Sequence, residues 1–246
     1  MVESSPEEID GFLGAHEEFF AKVPDSSGGK GVLHITPERK TEGYLKRLRQ
    51  DGYTLLEESI VQHPELDRIN PNCINTMRIV TCLNPAGELH FFPIILRVGA
   101  SDLSVDNISS GGLYTLLTPD GKIGLEGYYQ ENLYAIHNNA WVQKNHPLTG
   151  LNPLGFQIPY FQETLDMVTE MALACPDLVM PGWDIAITPD GPDLVEVNNY
   201  PGIDINQNYY FTKILGLPNV GAKDVIEKHL GGTFTNDRSY TYIPAK

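Results

Sequence analysis

The segment from Gly182 to Gly202, GWDIAITPDGPDLVEVNNYPG, constrains the fold more than any other stretch. Two apolar runs, WDIAI and DLVEV, flank TPDGP, whose Pro, Asp and Gly signal a tight turn. That pattern reads as a hairpin, and therefore as antiparallel sheet. Residues two apart on a strand share a face. Glu196 and Asn198 thus occupy one phase of the second run, with Val195 and Val197 in the other. The hairpin brings Asp184 opposite the region of Glu196 to Asn198. One register gathers all three polar side chains on one face, and a slip of one residue removes Asp184. Asp, Glu and Asn supply oxygen donors, the type that Mg²⁺ prefers. A solvated hairpin edge and a metal site both fit. Pro201-Gly202 then ends the strand and turns the chain away.

The rest of the chain divides into short elements. Residues 6–20, PEEIDGFLGAHEEFF, read as a helix with Pro and acids at its start. AKV and VLHI read as strands around PDSSGGKG, PERKTEGYLKRLRQDG as a helix ending at Gly52, and YTLLEES as a strand. NTMRIVTCL and ELHFFPIILRVG form a hairpin of long strands about NPAGE, and LYTLLTPDGKIGLEG another about Pro119-Asp120-Gly121. IPYFQETLDMVTEMALAC is a helix, with Phe161, Leu165, Val168 and Ala172 at helical spacing. Further helical segments are expected near residues 204–215 and 221–230, and an irregular stretch over 138–159. The expected fold class is α+β with largely antiparallel sheets and helices outside. A boundary near residue 60 gives a small lobe, 1–60, and a large lobe, 61–246, sharing a cleft.

Charge excludes one class of function. The net charge is −15, from 17 basic and 32 acidic side chains. Nonspecific nucleic-acid binding needs a basic face, so no nucleic-acid partner is expected. No apolar run is long enough to span a bilayer, and the start, MVESSPEEID, lacks a secretory signal. Cys73, Cys82 and Cys175 have no metal-like spacing and read as reduced thiols of a cytoplasmic protein.

Three further constellations carry chemistry. AKVPDSSGGKGV places Lys22 at a strand end before a glycine-rich loop, Ser27, Gly28, Gly29, Lys30 and Gly31. Backbone amides of such a loop can cradle phosphate, although a plain hairpin turn has the same composition. It is not a Walker A loop, because Gly29-Lys30-Gly31 leads into a strand former, Val32. In LLEESIVQHPEL, Glu57, Glu58, Ser59 and Ile60 form an extended segment that can offer backbone groups to a planar base. Acids at a strand end are also commonly just solvated. Arg78 and Arg97 lie on otherwise apolar strands and need an anionic partner or an outward face. Asn107 precedes another loop able to approach a ligand, Ser109-Ser110-Gly111-Gly112. His146, in HPLTG, reads either as a satisfied histidine of a surface loop or as a border of an acceptor site.

In this order, KVPDSSGGKGV, LLEESIVQHPEL, NTMRIVT, ILRVG, VDNISSGG, HPLTG, GWDIAITPDGP and LVEVNNYPGIDINQ resemble the ATP-grasp superfamily, and within it the sugar-transfer-associated ATP-grasp proteins of polysaccharide biosynthesis. The resemblance implies two α+β lobes clasping ATP. Lys22 would contact the phosphates under the loop from Ser27 to Gly31, Glu57 to Ile60 would hold adenine, and Glu65 the ribose. Arg78 and Arg97, with Asn107, would serve the triphosphate and the transferred phosphate. Asp184, Glu196 and Asn198 would bind two Mg²⁺ ions, with Mn²⁺ as a substitute.

The implied reaction activates a carboxylate as an acyl phosphate for attack by an amine. Its substrates would be small-molecule, glycan- or peptide-linked carboxylates and amines. A kinase of the same fold and a non-catalytic nucleotide-binding module are the rivals. About twenty residues precede Lys22, so the N-terminal domain usual in the superfamily is expected to be absent: the chain is a fragment, or a minimal form, or a partner chain or second copy completes the substrate site.

Overall fold

Ser5 starts the chain's first helix by capping it in both directions. Its hydroxyl accepts from the Glu8 amide at 3.2 Å, and the Glu8 carboxylate accepts from the Ser5 amide at 2.7 Å. The computed structural model describes residues 4–24, 31–100, 111–130, 142–199, 201–203, 205–206, 222–231, 233–234 and 242–243. The helix, α1, runs Pro6–Ala15, so the expected helix over 6–20 stops early. Phe19 and Phe20 belong instead to β1, Phe19–Lys22. Phe19 is fully buried, and burial on a sheet outweighs continuing the helical pattern.

The chain forms two compact units, Met1–Ile60 and Val61–Lys246. In the first, β1 is central, between β2, Val32–Ile35, and β3, Leu55–Glu58, all antiparallel. Phe19, Ala21, Ile35 and Leu48 of α2, Glu42–Gln50, make its core. The expected second helix is split. Pro37–Arg39 is a 3₁₀ turn, and α2 begins afresh at a Thr41 cap, whose hydroxyl accepts from the Tyr44 amide.

The second unit opens with a short helix, α3, Pro64–Asp67. Its strands are β4, Met77–Leu83; β5, Leu89–Phe91; β6, Ile95–Val98; β7, Leu113–Leu116; β8, Tyr128–Gln130; β9, Val142–Gln143; β10, Gly182–Thr188; and β11, Gly191–Asn198. They form an antiparallel sheet in the order β11-β10-β4-β6-β7-β8-β9, with β5 paired to β4. The long strand expected over ELHFFPIILRVG breaks between Phe91 and Ile95, where Pro93 has no amide to donate. The hairpin expected over LYTLLTPDGKIGLEG is reduced to one bridge, Leu117 to Ile123. α4, Phe161–Ala174, covers one face of the sheet with Phe161, Val168 and Ala172, packed against Met77, Ile79, Leu96, Val98, Trp183 and Ile185.

The opposite face is the one that positions the polar cluster, because Arg78, Arg97 and Asp184 alternate with those core residues. α5, Ala222–Leu230, adds Val225 and Ile226 to a smaller core with Val80, Cys82 and Phe92. The two-stranded pair β12, Thr233–Phe234, and β13, Tyr242–Ile243, follows. The helix expected near 204–215 lies largely outside the described residues, where only 205–206 are seen, as a turn. No helix among the described residues is long and apolar enough to cross a membrane.

Candidate functional site

A two-residue turn joins β10 to β11, with Thr188 paired to Gly191 and Ile185 to Leu194. Continued without change, that register sets Asp184 opposite Val195 and turns Glu196 to the wrong face. A β-bulge intervenes. Asp184 pairs with Glu196, Gly182 with Asn198, and Val195 is the extra residue. The bulge therefore reconciles two needs of one strand. Leu194 stays opposite Ile185, while Glu196 and Asn198 share the face of Asp184. A bulge that redirects side chains beside a site is a recurring device.

Across the sheet, Asp184 also pairs with Arg78 of β4, and Arg78 with Ile95 of β6. The result is a compact cluster. Arg78 grips Asp184 through Nε on Oδ1, and through Nη2 on Oδ2 at 2.9 Å. Arg97 Nη2 reaches Asp184 Oδ2 at 3.0 Å. Asn198 Nδ2 donates to Glu196 Oε1 at 3.0 Å and lies 3.4 Å from Asp184 Oδ2. Asp184 is wholly buried, Asn198 half-buried and Glu196 exposed, so the three side chains grade from inside to solvent. Burial pushes the Asp184 carboxyl up, but the Arg78 hydrogen bond and the Arg97 and Arg78 charges outweigh it and leave it below its ordinary value.

The donor chemistry fits a hard cation. Glu196 and Asn198 offer carboxylate and carboxamide oxygens at the open end, and Asp184 a third oxygen donor at the buried end. Among the described residues no group of three His, Cys, Asp or Glu is placed to hold a metal. The guanidiniums of Arg78 and Arg97 lie beside Asp184, both paired to it.

Sequence reasoning missed Thr76. Its hydroxyl accepts from Arg97 Nε at 2.9 Å and Nη2 at 2.6 Å, and its carbonyl accepts from the Arg97 amide at 2.8 Å. A threonine just ahead of a strand carries no periodic signal, so only the fold reveals this role. The need for glycine at position 182 is likewise structural. A Cβ there would lie 2.7 Å from Cβ of buried Pro201 and 3.4 Å from Cδ of Arg78. Gly182→Ala is expected to cost about 1–3 kcal/mol by overpacking, read as a lower Tm.

The first unit contributes a separate set. Lys22 pairs with Glu57. Gly31 adopts a left-handed φ of 72°, and its carbonyl accepts from the Val23 amide at 2.9 Å. Glu58 is exposed, Ile60 half-buried, and the buried Ser59 hydroxyl has no hydrogen-bond partner among the described residues. Ser27, Gly28, Gly29 and Lys30 lie outside the described residues, as does Asn107. Glu65, on α3 of the second unit, is exposed and pairs with Arg68 at 2.5 Å. His146 is satisfied, as one sequence reading had it: residues 143–145 and 147–150 are exposed, and the His146 side chain tucks inward from that surface loop.

A family model described as sugar-transfer associated ATP-grasp matches residues 3–216. No curated protein matches the chain. D-alanyl-alanine synthetase A from Vibrio cholerae O1 biovar eltor is 12% identical, with a TM-score of 0.47, over 87% of this chain and 56% of its own. N5-carboxyaminoimidazole synthetase from Staphylococcus aureus, solved with ADP, is 12% identical, with a TM-score of 0.46, over 91% of this chain and 52% of its own. D-alanine–D-alanine ligase from Bacillus anthracis is 14% identical, with a TM-score of 0.41, over 88% and 57%. The chain spans about half the length of these solved structures.

Proposed function

We propose, since the chain belongs to the sugar-transfer associated ATP-grasp family, that it is a Mg-ATP-dependent ligase that activates a carboxylate for attack by an amine. The observation that carries this reading is the gathering of Asp184, Glu196 and Asn198 beside Arg78 and Arg97 on one face of a sheet. Asp184, Glu196 and Asn198 would hold magnesium, with Glu196 the donor best exposed to serve two ions. Magnesium, when bound, would neutralise phosphate charge and draw electrons from the transferred phosphorus.

The chain's own residues would do the rest. Arg78 and Arg97 would meet the oxygens of the transferred phosphoryl group, and Asp184 holds both guanidiniums in place while they do so. Phosphoryl transfer depends on positioning and electrostatics more than on a special base. A substrate carboxylate would attack the γ-phosphorus, releasing ADP and forming an acyl phosphate. An amine would then attack the acyl carbon, and phosphate would leave. In the first unit, Lys22 and the loop from Ser27 to Gly31 are the proposed phosphate contacts, and Glu57 to Ile60 the proposed adenine contacts. Glu65 is the proposed ribose contact. Substrates linked to a glycan or peptide, a cytoplasmic setting, and a partner chain or second copy beside the acceptor complete the proposal.

Hydroxylamine separates this from phosphoryl transfer to a hydroxyl. With Mg-ATP and a panel of uronic acids and amino acids, a hydroxamate is expected together with ADP. A stable phosphorylated product that hydroxylamine leaves intact would make the protein a kinase instead.

A further inference from the structure

The pairing of β4 with β6 covers only two positions, Met77 with Leu96 and Arg78 with Ile95. Arg97 is the next residue of β6, and the paired ladder with β4 has ended there. What holds that side of the strand is the loop that precedes β4. Thr76 takes the Arg97 amide and guanidinium, as described above. Two residues on, the buried Gly99 carbonyl accepts from Asn70 Nδ2 at 2.9 Å and from His146 Nε2 at 2.7 Å. A carbonyl oxygen has two lone pairs, so this one is filled.

Both donors are themselves fixed. Asn70 is fully buried and His146 is 1% exposed. The Asn70 carbonyl accepts from Gln62 Nε2 and Asn75 Nδ2, each at 3.0 Å. Gln62 Oε1 in turn accepts from the Asn75 amide at 2.6 Å. This buried carboxamide network sets the loop from Gln62 to Asn75, and Thr76 is the next residue. On the other side, the His146 carbonyl accepts from the Gly150 amide at 2.8 Å, and the Thr149 hydroxyl donates to the Ile69 carbonyl at 2.9 Å. Because Gly99 O can only accept, Nε2 carries the proton. Nδ1 is then bare, facing the amides of Leu148 and Thr149 at 3.4 and 3.5 Å.

We infer that Asn70 and His146 are positioning residues for Arg97, clamping the Gly99 carbonyl where the β4–β6 ladder gives out. The clamp and Thr76 bracket Arg97 from both sides, so the guanidinium keeps its place at Asp184. The inference deepens the proposed function, resting on it only in its nucleotide arm. A structural arm is independent of any ligand.

The test uses the full chain and three variants. His146→Leu and Asn70→Leu each remove a donor at nearly constant volume, and His146→Gln keeps a donor near the place of Nε2. The structural readout is the Arg97 Nε–Hε NMR resonance of the nucleotide-free protein, assigned by its loss in Arg97→Lys. It is expected to move or broaden in His146→Leu and Asn70→Leu, and to return toward its wild-type position in His146→Gln.

The nucleotide readout is affinity for Mg-ATP against Mg-ADP. Losing one such hydrogen bond is expected to weaken Mg-ATP by about three- to tenfold while leaving Mg-ADP nearly unchanged. An unmoved Arg97 resonance in whichever leucine variant folds overturns the inference. So does an equal loss for both nucleotides, which would mark a role in stability alone. Should the wild type bind neither nucleotide, the proposed function fails, and the Arg97 resonance still decides the clamp.

Discussion

Asp184→Ala is expected to destabilise the Val61–Lys246 unit by about 3–5 kcal/mol, because it removes a fully buried carboxylate that two guanidiniums share. The Arg78 and Arg97 side chains are only 17% and 12% exposed, so water cannot replace the lost partner in full. For a unit of this size the Tm falls on the order of 10 °C. The sign with pH follows from the folded carboxyl lying below its ordinary value. Stability from Asp184 is fully present above the unfolded pKa of about 4 and is lost as pH falls through the folded value. The gap between wild type and Asp184→Ala therefore narrows in acid. Thermal melts over that range check both statements, and equal Tm values at neutral pH would mean that the arginines do not depend on Asp184.

Glu196→Ala behaves differently. Glu196 is exposed and accepts a hydrogen bond from Asn198. Little folding energy resides there, and the Tm is expected to stay close to that of the wild type. Mg-ATP affinity is expected to fall by about a hundredfold or more, since removal of a carboxylate leaves the cation one anionic donor fewer at the open end of the site. The contrast is diagnostic. Asp184 serves both the fold and the proposed metal, whereas Glu196 serves the ligand alone. A variant that melts early and still binds Mg-ATP would reverse that assignment.

The sequence carried the identity of the cluster better than its geometry. Glu196 and Asn198 were legible as one phase of a strand, and Asp184 as their partner under one of two registers. What set the register was the bulge at Val195, and it is invisible in the pattern because the two-residue turn alone implies the other register. Arg78 and Arg97 were legible as arginines in need of an anion, and Asp184 meets that need. Thr76, Asn70 and Asn75 were not legible, because polar residues between a helix and a strand look like ordinary loop. Their role arises from burial among one another, a tertiary property. The early end of α1 was missed for a related reason. Phe19 has no local signal against helix, and its place is set by a strand register with Ile35 and Glu58.

Calorimetric titration of the intact chain with ATP, with Mg²⁺ present and with the metal chelated, tests the central claim most directly. The cluster of Asp184, Glu196 and Asn198 beside two arginines predicts saturable binding that requires the metal and weakens by about a hundredfold or more in Glu196→Ala. Absence of binding with Mg²⁺ present, or binding indifferent to both the chelator and the substitution, would contradict it.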